Sequence, residues 1–129
     1  VLIVEDMATN RLTAQALIAR MGYQTDMAEN GLKAVEKYKN NHYDLILMDC
    51  QMPEMDGFEA TRKIRDLEKA EKRGHVPIIA MTGNVFESDR QKCFDNGMDD
   101  FIAKPVEPDV LMRKISSNLN TGENCSGET

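Results

Sequence analysis

Apolar and polar positions along the chain fall into alternating blocks. Four short apolar runs, Leu2-Ile3-Val4, Leu45-Ile46-Leu47-Met48, Ile78-Ile79-Ala80-Met81 and Phe101-Ile102-Ala103, have the length and composition of buried strands. Longer mixed stretches with helical spacing lie between them. The pattern predicts strand 1 over Val1–Val4, then a helix capped by Thr9 or Asn10 that runs to Arg20 or Met21 and stops at Gly22. Leu12, Ala16 and Ala19 share one face of that helix, widened by Leu17 and Met21. A weaker, more polar strand 2 follows over Tyr23–Ala28, and Asn30-Gly31 turns into a second helix with Leu32, Val35 and Tyr38 on one side. Strand 3 is Asp44–Asp49 and is followed by a loop, Cys50–Asp56. The third helix starts at Gly57 and carries Ala60, Ile64 and Leu67 inward to about Lys72, with Gly74 beyond it. Strand 4 is Val76–Thr82, helix 4 runs from Glu87 to Asn96 with Gly97 as its stop, and strand 5 is Asp100–Lys104. Pro105 breaks that strand before a last helix, Glu107–Leu119, with Val110, Leu111, Ile115 and Leu119 inward.

Five strands alternating with five helices call for an α/β fold, a parallel sheet with helices on both faces. Right-handed crossovers restrict the strand order. The order 2-1-3-4-5 is adopted from flavodoxin-like proteins rather than derived, and in such sheets the site lies beyond the carboxyl ends of the strands. Residues 1–119 form one domain on this reading, and 120–129 a polar tail or linker.

With 129 residues the chain has enough length for one real core, and with aromatics at 5% and no Trp that core must come from aliphatic side chains and the nine Met. A net charge of -6 repels phosphate backbones, which argues against nucleic-acid binding. Three cysteines, Cys50, Cys93 and Cys125, with no close pairs and no His at ligand spacing, argue against a disulfide framework or a zinc site and fit a reducing, cytoplasmic setting. Cys50 beside Asp49 is either a redox-sensitive thiol or, more simply, a small packing residue. His42 and His75 lie in polar turn-like stretches with no chemistry expected of them. No apolar stretch approaches the roughly 20 residues of a membrane span. The chain opens on Val1 inside a strand-like run, as a segment cut from a longer protein would.

The four apolar runs share one further property: each ends in a chemically useful side chain. Strand 1 ends in Glu5-Asp6, strand 3 in Asp49, strand 4 in Thr82 and strand 5 in Lys104. On a parallel sheet these ends share one edge. Carboxylates brought together there repel one another and either take up protons or hold a cation. Magnesium takes oxygen ligands and one or two carboxylates. Asp6 and Asp49 suit direct ligation, Glu5 ligation through a water, and the backbone carbonyl of Gln51 a further oxygen. Lys104 and Thr82 suit a phosphoryl oxygen. Taken singly, Glu5-Asp6 also fits a helix start favoured by the dipole, Lys104 a rim lysine and Thr82 a strand-favouring residue.

Glu5-Asp6, the stretch Met48-Asp49-Cys50-Gln51-Met52-Pro53-Glu54-Met55-Asp56-Gly57, Thr82 and Lys104-Pro105 together resemble the receiver domain of two-component response regulators. The runs Gly57–Arg65 and Gly97–Pro105 resemble receivers attached to hybrid sensor histidine kinases. The resemblance implies that Asp49 accepts a phosphoryl group from a phosphohistidine, with Mg2+ (or Mn2+) as cofactor and Lys104 neutralising charge. It implies Thr82 and Phe101 as a switch pair, Gln51 and Asn84 as residues that set the phosphoryl lifetime, and a cis Lys104-Pro105 bond. It implies a histidine kinase domain as partner, and a histidine phosphotransfer domain as another, with no nucleic acid and no direct membrane contact. The parent protein would be cytoplasmic or membrane-anchored, and the domain a regulatory phosphoacceptor rather than an enzyme. The sequence departs from common relatives at Met7, where Asn is frequent, at Gly83, where Ala is, and at Phe101, where Tyr is.

Three other readings remain open at this point. An aspartate-nucleophile phosphatase needs a second Asp two residues after the nucleophile, where this chain has Gln51. A flavin binder needs a phosphate-cradling loop after strand 1, where this chain has Glu5-Asp6. A receiver that acts by docking alone needs no acceptor chemistry.

Overall fold

In a computed structural model the chain is described over residues 1–50, 55–72, 74–83, 87–103 and 106–126. Five strands, β1 (Leu2–Val4), β2 (Asp26–Ala28), β3 (Ile46–Asp49), β4 (Ile78–Thr82) and β5 (Asp100–Ala103), alternate with α1 (Ala8–Arg20), α2 (Gly31–Asn40), α3 (Gly57–Ala70), α4 (Glu87–Asp95) and α5 (Pro108–Ser126). All strand pairs are parallel, in the order β2-β1-β3-β4-β5. The architecture is the expected one.

Two-residue periodicity splits the strands between two cores. Leu2, Val4, Ile46, Met48, Ile78 and Ala80 point to one face and pack with Ala34 and Tyr38 of α2, Ala60 and Ile64 of α3 and Cys93 of α4. Ile3, Leu47, Ile79, Met81 and Ile102 point to the other and pack with Ala14 and Ile18 of α1 and Leu111 and Ile115 of α5. Burying each such aliphatic side chain contributes about 1.5–3 kcal/mol, so the central strands, buried on both faces, anchor the sheet. Their near-continuous apolar runs follow from that double burial.

Helix starts and stops follow local chemistry. Asn30 caps α2 by accepting from the Lys33 amide at 2.8 Å, and Asp56 caps α3 by accepting from Glu59 at 2.9 Å. At the end of α4 the Met98 amide donates to Cys93 O and the Gly97 amide to Phe94 O, the paired bonds of a Schellman closure. Gly97 takes the left-handed conformation this needs, at φ 99°.

Several expected details differ. The first helix begins at Ala8, with Met7 at the cap position and no side-chain cap, so neither Thr9 nor Asn10 caps it. Its inward face is Ala14 and Ile18, while Leu12, Ala16 and Ala19 are exposed. Apolar residues surround this helix, so spacing alone admits either face, and docking on the sheet selects one. Leu32 of α2 is likewise exposed, since Ala34 and Tyr38 take the core side. The last helix continues past Leu119 to Ser126, with Gly122 inside it. One interior Gly costs about 1 kcal/mol relative to Ala, too little to end a helix by itself.

At the amino end of β4 an ionic network ties α3 to the α4–β5 turn. Arg65 donates to Glu68 Oε2 and Asp99 Oδ2, both at 2.7 Å, and to the carbonyls of Gly97 and Val76. The Val76 amide donates to Glu68 Oε2, the Ile78 amide to Asp99 Oδ2, and His75 Nε2 lies 2.6 Å from Asp99 Oδ1. At the β2 edge, Lys37 and Tyr43 bond Asp26; the Lys37 bond, then that of Tyr43, holds the Asp26 carboxyl below its usual range, and burial first, then Asp26, pushes the Tyr43 phenol up. Glu68 is 8% exposed, so removing Arg65 leaves a buried carboxylate uncompensated. Arg65→Ala is expected to destabilise the fold by about 3 kcal/mol or more, read as a lower midpoint in urea unfolding.

Candidate functional site

The site is built by three neighbouring strand ends. Val4 of β1 stands opposite Met48 of β3, so the next residue on each strand is a carboxylate, Glu5 and Asp49. The Glu5 amide continues the β1–β2 ladder to Ala28 O at 3.1 Å, and the Cys50 amide bonds Met81 O at 3.0 Å. Both carboxylates therefore leave from rigid, hydrogen-bonded backbone. Asp6 follows in an exposed bend. One oxygen each of Glu5, Asp6 and Asp49 lies within 4.8 Å of the others.

Glu5 and Asp49 are each only 2% exposed. Two carboxylates at that separation repel by about 3 kcal/mol at an effective dielectric near 20. A hard cation fits this donor set, because it replaces the repulsion with attraction and accepts oxygen ligands. The three oxygens and the exposed position of Asp6 suit an oxygen-binding cation that keeps some of its waters.

Two contacts that sequence reasoning did not foresee, at Arg11 and Gly57, hold this corner in place. The Arg11 guanidinium, from the first turn of α1, donates to Glu5 O at 2.7 Å and Asp6 O at 3.1 Å. It pins the acidic bend without consuming a carboxylate oxygen. No local motif marks Arg11, whose role depends on the chain folding back after β1. Gly57 packs against the backbone of Asp49: a Cβ there would lie 2.2 Å from the Asp49 carbonyl oxygen. Its amide also donates to Cys50 O at 3.2 Å. The Asp56-Gly57 pair thus brings α3 directly under the strand end.

Thr82 ends β4 opposite Ala103 of β5 and is 8% exposed. Phe101 is half-buried on the α4 side of β5, edge-on to Phe94 at 6.4 Å between ring centres, with the Arg90 guanidinium 4.8 Å and the Lys114 ammonium 5.4 Å from its own ring centre. Glu5, Asp6 and Asp49 thus come together as expected, and Thr82 lies on the next strand of the same edge. Lys104, Pro105, Gln51 and Asn84 lie outside the described residues, and with them the expected lysine, backbone-carbonyl and lifetime positions and the expected cis bond. Cys50 and Cys93, far apart in sequence, have their Sγ atoms 4.0 Å apart in the core. The absence of close pairs in sequence did not carry over to space.

The family model of the response regulator receiver domain matches residues 1–116. The chain belongs to the response regulator receiver domain family. It is 48% identical over 129 residues to hybrid signal transduction histidine kinase B of Dictyostelium discoideum, an alignment covering 93% of this chain and 7% of that protein. Histidine kinase 3 of Arabidopsis thaliana is 38% identical over 139 residues, covering 94% of this chain and 13% of that protein. The chain therefore spans a small part of the curated relatives it matches. Among solved structures, the receiver domain of a sensor histidine kinase from Pseudomonas aeruginosa, with magnesium coordinated in its active-site cleft, superposes with TM-score 0.82 at 38% identity, over 92% of this chain and 95% of that one. The receiver domain of Ssk1 of Saccharomyces cerevisiae, crystallised with the histidine phosphotransfer protein Ypd1, superposes with TM-score 0.86 at 33% identity, over 94% of this chain and 88% of that one. This is a receiver domain of two-component signalling, and its relatives carry it within hybrid histidine kinases. Among the described residues no helix is long and apolar enough to cross a membrane.

Since Gly57 touches the Asp49 backbone at the end of β3, Gly57→Ala is expected to cost about 1–3 kcal/mol by overpacking. Urea unfolding reads that cost, and a magnesium titration is expected to show weakened binding as the Asp49 backbone shifts.

Proposed function

We propose that this receiver is a magnesium-dependent phosphoacceptor in which Asp49 takes a phosphoryl group from a phosphohistidine. The observation that carries the reading is the convergence of Glu5, Asp6 and Asp49 within 4.8 Å at the carboxyl edge of the sheet. A carboxylate oxygen of Asp49 attacks phosphorus; the new O–P bond forms as the N–P bond of the donor breaks, and the imidazole leaves with the electron pair. Asp6 and Asp49 would hold the metal directly, with the Gln51 carbonyl, and Glu5 through a water. Bound magnesium supplies positive charge to the phosphoryl oxygens. Lys104 contributes further neutralisation, and the chain otherwise acts by positioning.

On phosphorylation Thr82 turns toward the new phosphoryl group and Phe101 rotates into the space it leaves. The packing of Phe101 against Phe94 and Arg90 links that rotation to α4. The result is a shift in population of the α4–β5–α5 face. Gln51 and Asn84 set the lifetime of the acyl phosphate. The partners are a histidine kinase domain and a histidine phosphotransfer domain, in a cytoplasmic setting. Residues 1–119 constitute the signalling domain and 120–129 a polar tail or linker whose first part continues α5. The magnesium in the Pseudomonas receiver and the phosphotransfer partner in the yeast complex support this assignment by similarity.

Acetyl phosphate or a beryllofluoride salt with magnesium tests the acceptor. The parent chain is expected to gain the phosphoryl mass or the corresponding spectroscopic change, and Asp49→Asn to lose it. An unchanged signal in Asp49→Asn moves the acceptor elsewhere, and rapid turnover of small phosphomonoesters favours a phosphatase instead. Lys104→Ala is expected to keep magnesium affinity while the conformational response is lost.

A further inference from the structure

We propose that Cys50 and Cys93 form a reversible intramolecular disulfide that locks α4 to the acceptor strand. The two thiols are buried, at 3% and 1% exposure, and their sulfurs are 4.0 Å apart. A disulfide needs about 2.05 Å, so closure asks the sulfurs to approach by roughly 2 Å, within the range of side-chain rotation and a small helix shift. Their positions in the fold make the pair more than a packing contact. Cys50 is bonded to the residue Asp49, and its amide is fixed to Met81. Cys93 sits in the last turn of α4, where its carbonyl accepts the Schellman bond from Met98. The bond would therefore join the backbone next to the acidic cluster to the helix that packs against Phe101.

Access comes from α4 itself. The helix has only nine residues, and Arg90, Gln91, Lys92 and Phe94 on its outer side are exposed. Local opening of such a short element exposes Cys93 without global unfolding. The oxidant is a low-molecular-weight disulfide. One protein thiolate attacks it, forming a mixed disulfide and releasing one small thiol; the second protein thiolate then displaces the other. Two protein thiols are oxidised, one small disulfide is reduced to two thiols, and the two protons pass to those thiols.

Bond formation stands on the geometry alone, whereas its effect on switching rests on the phosphoacceptor reading. The chain with Cys125→Ser, which removes intermolecular pairing, is equilibrated with glutathione disulfide and digested without reduction. The expected product has lost two hydrogens and yields the Cys50 and Cys93 peptides linked together. Glutathione retained on either cysteine, or two free thiols even in mild urea that promotes opening, overturns the proposal. Amide NMR then follows the response to beryllofluoride and magnesium. The reduced chain is expected to shift resonances of α4 and β5, the oxidised chain to lose most of that shift, and Cys93→Ser or Cys50→Ser to keep it under the same oxidant. An oxidised, linked chain that responds as fully as the reduced one overturns the lock. A reduced chain that fails to respond counts against the phosphoacceptor reading, and the linked peptide still decides the bond.

Discussion

Mutual repulsion among three carboxylates is the constraint around which this molecule is arranged. Glu5 and Asp49 are buried at adjacent strand ends, and Asp6 closes the set from the rim. Nothing in core packing requires acidic groups there, and left to themselves they oppose folding. Among the described residues, the surrounding structure holds their backbone in place through main-chain contacts. Ladder bonds at Glu5 and Cys50, the Arg11 grip on two carbonyls and the Gly57 contact beneath Asp49 all act on main chain. In the proposed chemistry those carboxylates meet a cation and, at Asp49, phosphorus.

Stability and function occupy opposite ends of the sheet. The carboxyl edge gathers repulsive groups, while the amino end of β4 carries the attractive network of Arg65, Glu68 and Asp99. Arg65 also grips the Gly97 carbonyl, and so ties the far end of α4 to α3. The proposed motion of α4 then has a fixed pivot at the Gly97 turn. The aromatic pair Phe94–Phe101 links α4 to β5, and the cysteine pair links α4 to the end of β3. A disulfide there would act on the same helix that phosphorylation is proposed to move, and the two controls would meet at one element.

The sequence by itself determined the class of fold, because short apolar runs that alternate with helix-length amphipathic segments call for a parallel sheet covered on both faces. It also pointed to the acidic cluster, because Glu5-Asp6 and Asp49 end those runs and parallel strands place their ends on one edge. Tertiary structure decided what local pattern leaves degenerate. α1 is apolar on more than one face, and only docking against β1 and α5 turned Ala14 and Ile18 inward and Leu12 outward. The grip of Arg11 on the acidic bend and the meeting of Cys50 with Cys93 join residues that have no shared period or motif, and the shared motif of Asp49 and Gly57 does not show their backbone contact. Such contacts arise from how elements cross in space, and a linear pattern of apolar and polar residues does not encode that crossing.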